Sequence, residues 1–140
     1  MKVADVMTRD VMTCRIDDKL SDCAGMMREL NVGIMPVVDS NENLIGVITD
    51  RDITIRAVSK GIDISQSQVG EFFTPDPLTI SPNINVEDAA DIMADNQIRR
   101  LPVVDNGKLV GIVSLGDLAV DVGEIEMVEE VLKKVSAPVR

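Results

Sequence analysis

The chain has 140 residues, with 14 lysines and arginines against 24 aspartates and glutamates, for a formal charge of −10; that balance argues against nonspecific binding to nucleic acid or to an anionic membrane surface. It contains no histidine, and Cys14 and Cys23 have no metal-type spacing, so no metal is expected and the usual neutral-pH proton shuttle is missing. Hydrophobic residues make up 45% and are nearly all aliphatic, so a planar ligand must sit against aliphatic walls or against Phe72 and Phe73.

Lys2–Met7 reads as a short helical turn before the polar break Thr8-Arg9-Asp10. Val11–Ile16 reads as a short strand with Thr13 in its middle. Asp17 and Asp18 stand where a helix begins, and Leu20, Cys23, Ala24, Met27 and Leu30 follow at helical spacing. Asn31–Gly33 ends that helix. Strands at about Met35–Val38 and Leu44–Thr49 flank a turn at Asp39–Asn43. A second helix runs from Asp50 to Lys60, with Gly61 after its C-terminal cap, and the Ser- and Gln-rich stretch Asp63–Gln68 is a connector.

The same order then returns. Phe72-Phe73-Thr74 precedes a strand near Leu78–Ile80 and a helix on Val86, Ala89, Ala90 and Met93, with Asn85 and Asp88 spaced as an N-terminal cap pair. Leu101–Val104 and Leu109–Val113 are strands joined by Asp105-Asn106-Gly107, a strong hairpin turn. A short helix follows Ser114. The tail Glu124–Val135 is a further amphipathic helix, with Ile125, Val128, Leu132 and Val135 on one stripe and its acidic run, Glu124–Glu130, on a solvated face.

Val3–Asp39 overlays Val69–Asp105 at one constant offset, the 66 residues from Thr8 to Thr74, without a gap. Val3/Val69, Asp22/Asp88, Met27/Met93 and Pro36–Asp39/Pro102–Asp105 are identical pairs. One deletion in the second turn then brings Gly46 onto Gly111, Thr49 onto Ser114 and Asp52 onto Asp117. The chain is thus an internal repeat of an α/β unit, each copy strand-helix-strand-strand-helix, two copies forming a pseudo-twofold pair. The expected divisions are 1–62 for the first copy, 63–68 for the linker, 69–122 for the second copy and 123–140 for the C-terminal helix and tail. No apolar run reaches the length of a membrane span and Met1–Asp5 does not open a signal peptide, so a reduced, cytoplasmic chain is expected.

Thr49-x-x-Asp52 and Ser114-x-x-Asp117 have the spacing of a capping box, which satisfies free backbone N–H groups at a helix start. Spacing alone favours that plain reading, because caps are far commoner than ligand sites. The same geometry serves a ligand: a helix start offers donors to phosphate, a carboxylate there accepts both hydroxyls of a ribose, and the Thr or Ser hydroxyl bonds ribose or phosphate. Gly46 and Gly111 lie inside apolar strands, where glycine often marks a bulge or a close backbone approach; hairpin geometry or room for a ligand near the strand explains them. In a chain this acidic a polyanionic ligand needs local cations, which gives Arg51, Arg99 and Arg100 a purpose. Gly33 and Ile34 replace the arginine pair in the first copy and Leu115-Gly116 replaces Arg51 in the second, which predicts two non-equivalent sites.

A leading Thr-containing strand, Pro-Val-Val-Asp, and Gly-x-x-Thr/Ser-x-x-Asp at the last strand-helix junction, each occurring twice in register, resemble the cystathionine-β-synthase (CBS) domain. The tandem arrangement resembles the paired-CBS (Bateman) module of small stand-alone prokaryotic proteins, over about residues 3–60 and 69–122. The resemblance implies a regulatory module that binds an adenine nucleotide (AMP, ADP or ATP) in the cleft between repeats and pairs into a disc-like homodimer. It implies ribose at Thr49, Asp52, Ser114 and Asp117, phosphate at Arg51, Arg99 and Arg100, and a base edged by Thr13, Thr79, Met35, Pro36, Leu101 and Pro102. No constellation supports catalysis, so the expectation is a sensor without a cofactor that reports energy or metabolite state to a regulated protein the sequence does not name. Two alternatives stay open: a sensor of S-adenosylmethionine, and a structural interaction module whose Thr/Ser-x-x-Asp elements are only caps.

Overall fold

The computed structural model describes the backbone of residues 1–122 and 125–138, and Glu124, where the tail helix and its acidic run were expected to begin, lies outside the described residues. The chain forms two compact units, Met12–Pro77 and Met1–Val11 with Leu78–Arg140. Each has its own apolar core.

In Met12–Pro77 the first helix, α2 (Leu20–Leu30), buries Leu20, Cys23 and Met27, residues at helical spacing, and ends on Asn31 in the left-handed conformation (φ 54°). Asn tolerates that conformation through its short polar side chain. Leu30, expected on the buried stripe, is 46% exposed at the last helical position. Strands β1 (Ile34–Val38) and β2 (Leu44–Thr49) pair antiparallel, Ile34 opposite Thr49. The turn between them is closed by Asp39, whose carboxylate accepts from the amides of Asn41 and Asn43. Those bonds, Asn43 foremost, hold the Asp39 carboxyl below its ordinary range. Helix α3 (Asp50–Asp52) runs on through a π turn, Ile53–Ala57, and a 3-10 turn, Val58–Lys60, to Gly61 at φ 72°, as its sequence signals require.

The expected strand over Val11–Ile16 is reduced to one residue. Only Cys14 bridges to β1, its amide donating to Pro36 O and its carbonyl accepting from Val38 N, both at 2.9 Å. Asp18 turns back to accept from Arg15 N and so ends the extended run before it can lengthen. The far side of β2 carries β3 (Thr74–Pro75), preceded by a 3-10 turn at Val69–Glu71. Val69 and Phe72 from this stretch fill the core beside Met35, Val37 and Ile48.

The other unit repeats the plan. Helix α1 (Val3–Val6) leads into Thr8, which bridges Ile112 as Thr74 bridges Val47. The two leading turns close alike: Asp5 accepts from Lys2 N at 2.9 Å and Glu71 from Gln68 N at 2.8 Å. Helix α4 (Val86–Asn96) buries Val86, Ala89, Ala90, Met93 and Ala94. Asn85 sits at its N-cap, but its side chain makes no capping bond; Asp88 N donates to the Asn85 carbonyl instead. Strands β4 (Arg100–Asp105) and β5 (Lys108–Ser114) are joined through Asn106 and Gly107, both at positive φ. Near Leu78–Ile80, too, only one residue, Ile80, bridges the sheet.

Helix α5 (Leu115–Asp117) continues as a π turn, Leu118–Val122, and α6 (Ile125–Val135) follows. The stripe α6 buries is centred on Val131, 3% exposed, with Met127, Val128 and Val135 beside it, while Leu132 is 44% exposed. Val128 and Val135 of the expected stripe lie on this face, whereas Leu132 only borders it and Val131 takes the central place.

Gly46 and Gly111 mark a close backbone approach, as glycines inside strands often do. A Cβ on Gly46 would stand 2.3 Å from Phe73 Cδ2 and 2.5 Å from Thr74 O; one on Gly111 would stand 2.7 Å from Thr8 O. Each glycine admits the backbone of the leading segment laid against its strand.

Candidate functional site

The β4–β5 hairpin places Arg100 directly opposite Ser114. Ser114, extended at φ −121°, caps α5: its hydroxyl accepts from Asp117 N at 3.1 Å, and the Asp117 carboxylate accepts from Ser114 N at 2.8 Å. Arg99 is tied to the same turn, its carbonyl accepting from Leu115 N at 2.8 Å. Arg99, Arg100, Ser114 and Gly116 then line one side of a pocket of about 390 Å³, and Val128 and Leu132 of α6 line another. Both arginines are exposed; Arg99 Nη2 lies 3.3 Å from Ser136 Oγ, near the end of α6. The result is a concave surface that combines two arginines and a serine with aliphatic side chains.

The corresponding turn in Met12–Pro77 has the same backbone bonds and different company. Thr49 Oγ1 accepts from Asp52 N and the Asp52 carboxylate accepts from Thr49 N, both at 3.0 Å. Thr74 Oγ1 lies 3.4 and 3.5 Å from the two Asp52 oxygens. Arg56 Nε stands 3.7 Å from Asp52 Oδ1, and its Nη1 lies 3.4 Å from Phe72 O. The Asp52 side chain is only 13% exposed. Neither Arg56 nor Thr74 was singled out in the sequence. The four-residue spacing from Asp52 to Arg56 was a usable signal for one helix face, whereas Thr74 reaches Asp52 through tertiary packing. Arg51 is exposed, on the same turn.

Among the residues expected at the base, Met35 and Leu101 are core residues, 1% and 0% exposed, and Pro36 and Pro102 are also buried. The two prolines lend only carbonyls to the sheet, to Cys14 N at 2.9 Å and to Ile80 N at 3.1 Å. Thr13 is half-buried and Thr79 exposed, each one residue before a bridging position, so alternation along the extended chain turns their own amides away from β1 and β4. The structure therefore brings Ser114, Arg99 and Arg100 into one pocket, and Thr49, Asp52 and Arg51 onto one turn of the other unit. Among the described residues no group of three or more His, Cys, Asp or Glu is placed to hold a metal ion.

A family model described as the CBS domain matches residues 3–58 and 69–124. The CBS domain-containing protein YhcV of Bacillus subtilis is 44% identical over 119 residues, covering 85% of this chain and 84% of that one. Among solved structures, CBSX2 of Arabidopsis thaliana in complex with AMP has a TM-score of 0.76 at 31% identity, over 89% of this chain and 98% of that one. Hypoxic Response Protein I with two coordinated zinc ions, the name borne by a Mycobacterium tuberculosis relative, has a TM-score of 0.77 at 30% identity, over 85% of this chain and 97% of that one.

Proposed function

This chain belongs to the CBS-domain family, carrying the domain twice, and from that premise we propose that it is a regulatory module binding an adenine nucleotide in the unit that contains Leu78–Arg140. The observation that carries the reading is the pocket lined by Arg99, Arg100 and Ser114. Phosphates pair with the two guanidinium groups, which suit them in both charge and geometry. The ribose hydroxyls go to Ser114 and to the Asp117 carboxylate, and the apolar face of the base lies on aliphatic side chains. AMP bound to a relative 31% identical supports the ligand class. At the other turn Arg51 and Asp52 form a second, weaker site, because Arg56 and Thr74 must give way before Asp52 can accept a ribose.

The same reading takes the module as a sensor acting on a regulated partner from the cytoplasm, and as a homodimer. Exposed Leu30, Ile55 and Val58 in Met12–Pro77 support self-association. No described helix is long and apolar enough to cross a membrane.

Calorimetric titration of ligand-stripped protein with AMP, ADP, ATP, adenosine and S-adenosylmethionine tests the ligand. Saturable binding of a nucleotide, weakened by replacing Arg99 and Arg100, is the expected result. Preference for S-adenosylmethionine would redirect the reading to that sensor class. Absence of binding by all five would leave the structural module, for which the two realised capping boxes speak.

A further inference from the structure

Cys14 and Cys23 are the chain's two cysteines; both are free and each is 1% exposed. Their Sγ atoms lie 3.1 Å apart, with Met35 Sδ 3.8 Å from Cys14 Sγ. A disulfide bond is about 2.05 Å long, so closing it asks for a shift of roughly 1 Å. The Cys14 thiol donates to the Cys23 sulfur, which pushes Cys14 up and holds Cys23 below the ordinary thiol value.

Packing does not require sulfur at these positions. At the repeat offset, Cys14 corresponds to Ile80 and Cys23 to Ala89. Ile80 bridges Val103 just as Cys14 bridges Val37, and Ile80 and Ala89 are 5% and 0% exposed in their own core. An Ile–Ala pair therefore fills the same place in the same fold. The usual account of buried cysteines, that they serve as small hydrophobes, does not explain why one copy has a sulfur on each side of the contact.

Access comes from the weakness of the segment carrying Cys14. It is held to β1 by the two backbone bonds of Cys14 itself and to the 3-10 turn at Val69–Glu71 by Gly70 N, which donates to Ile16 O at 2.8 Å, while the side chains of Met12, Arg15 and Ile16 around it are exposed. Opening the segment breaks only these three bonds and lifts Cys14 off Cys23, whose sulfur it contacts at 3.1 Å.

We propose that Cys14 and Cys23 form a reversible oxidation site, closing an intramolecular disulfide by exchange with a low-molecular-weight disulfide such as oxidised glutathione. The Cys23 thiolate attacks one sulfur of that disulfide and expels its other half as a thiolate. Cys14 then loses its proton to solvent and attacks the Cys23 sulfur of the mixed disulfide, releasing the second thiolate. The two cysteines lose two electrons and two protons together, and the oxidant is reduced to two thiols. The new bond ties the segment carrying Thr13 to α2.

The test treats native protein with oxidised glutathione, then reads intact mass, free thiols and thermal unfolding before and after dithiothreitol. The expected product has lost both thiols and two hydrogens, carries no glutathione, melts higher than the reduced chain, and reverts with dithiothreitol. Cys14→Ser and Cys23→Ser each block the internal bond. The paired Cys14→Ile and Cys23→Ala variant takes the other copy's residues, should fold like the parent, and should melt at one temperature with or without oxidant. Native thiols that resist the oxidant while the denatured chain closes the bond would overturn the proposal, as would a lasting glutathione adduct with no internal disulfide.

Discussion

The turns at Thr49–Asp52 and Ser114–Asp117 are indistinguishable along the backbone: each is a reciprocal cap with bonds of 2.8–3.1 Å. They differ in what approaches the carboxylate from outside. Asp52 has Thr74 and Arg56 within 3.4–3.7 Å, whereas Asp117 has only its cap among the described residues. One duplicated motif has thus been completed as structure in one unit and left with acceptor capacity in the other, on the turn whose first residue, Ser114, stands opposite Arg100. A capping box and a ribose site are not competing descriptions of a residue; the neighbours decide whether the cap exhausts it.

The largest effect should come from breaking what the units share. Gly46→Ala drives a Cβ into Phe73 and the Thr74 carbonyl and should cost about 3 kcal/mol in a denaturant titration, with Gly111→Ala somewhat less because its backbone clash, with Thr8 O at 2.7 Å, is milder than that with Thr74 O at 2.5 Å. Losses below about 1 kcal/mol in both would show that the leading segments shift freely.

Next come the changes that separate the units. Arg100→Ala, alone or with Arg99→Ala, should weaken ATP and ADP by roughly 1.5–3 kcal/mol while adenosine changes little, and added salt should narrow the gap. Equal losses for adenosine and ATP would assign the arginines to the fold. Asp117→Asn should weaken every adenosine ligand by a similar amount, roughly 1.5–3 kcal/mol, whereas Asp52→Asn should leave tight binding intact and lower the melting temperature. If both variants bind normally, the capping role is the whole role of both residues.

Smaller still, Thr49→Ala and Ser114→Ala should each remove about 1 kcal/mol of stability, since each deletes one N-cap. A marked inequality between them would mean the two caps are not equivalent after all. Least in stability but sharpest in logic is Arg56→Ala. Its ion pair with Asp52 is half exposed and is worth under about 1 kcal/mol, yet removing it should raise affinity at a second nucleotide site seen in calorimetry. An unchanged second site would show that Thr74 alone closes Asp52.

The hairpins, the helices ending at Asn31 and Gly61, and both capping boxes were legible in the sequence because turn chemistry and period are local. The arginine pair stood out because the other copy lacks it. Other features depend on partners distant in the chain. Val11–Ile16 has strand composition, yet only Cys14 finds a partner, and composition does not show how many residues a neighbour will pair. Gln97 ends α4 at φ 53°, a conformation its residue type does not advertise. Thr74 beside Asp52, and α6 forming a pocket wall through Val128 and Leu132, are products of tertiary packing.

The placing of the leading segments has a consequence for synthesis on the ribosome. Met12–Pro77 is one unbroken stretch of chain, so every strand and helix of that unit has emerged by the time Pro77 clears the exit tunnel. The unit begun by Met1–Val11 cannot close until β5 appears, because Thr8 bonds to Ile112. At about 5–20 residues per second, Thr8 waits on the order of ten seconds for Ile112, and of the two units the one entered earlier closes later.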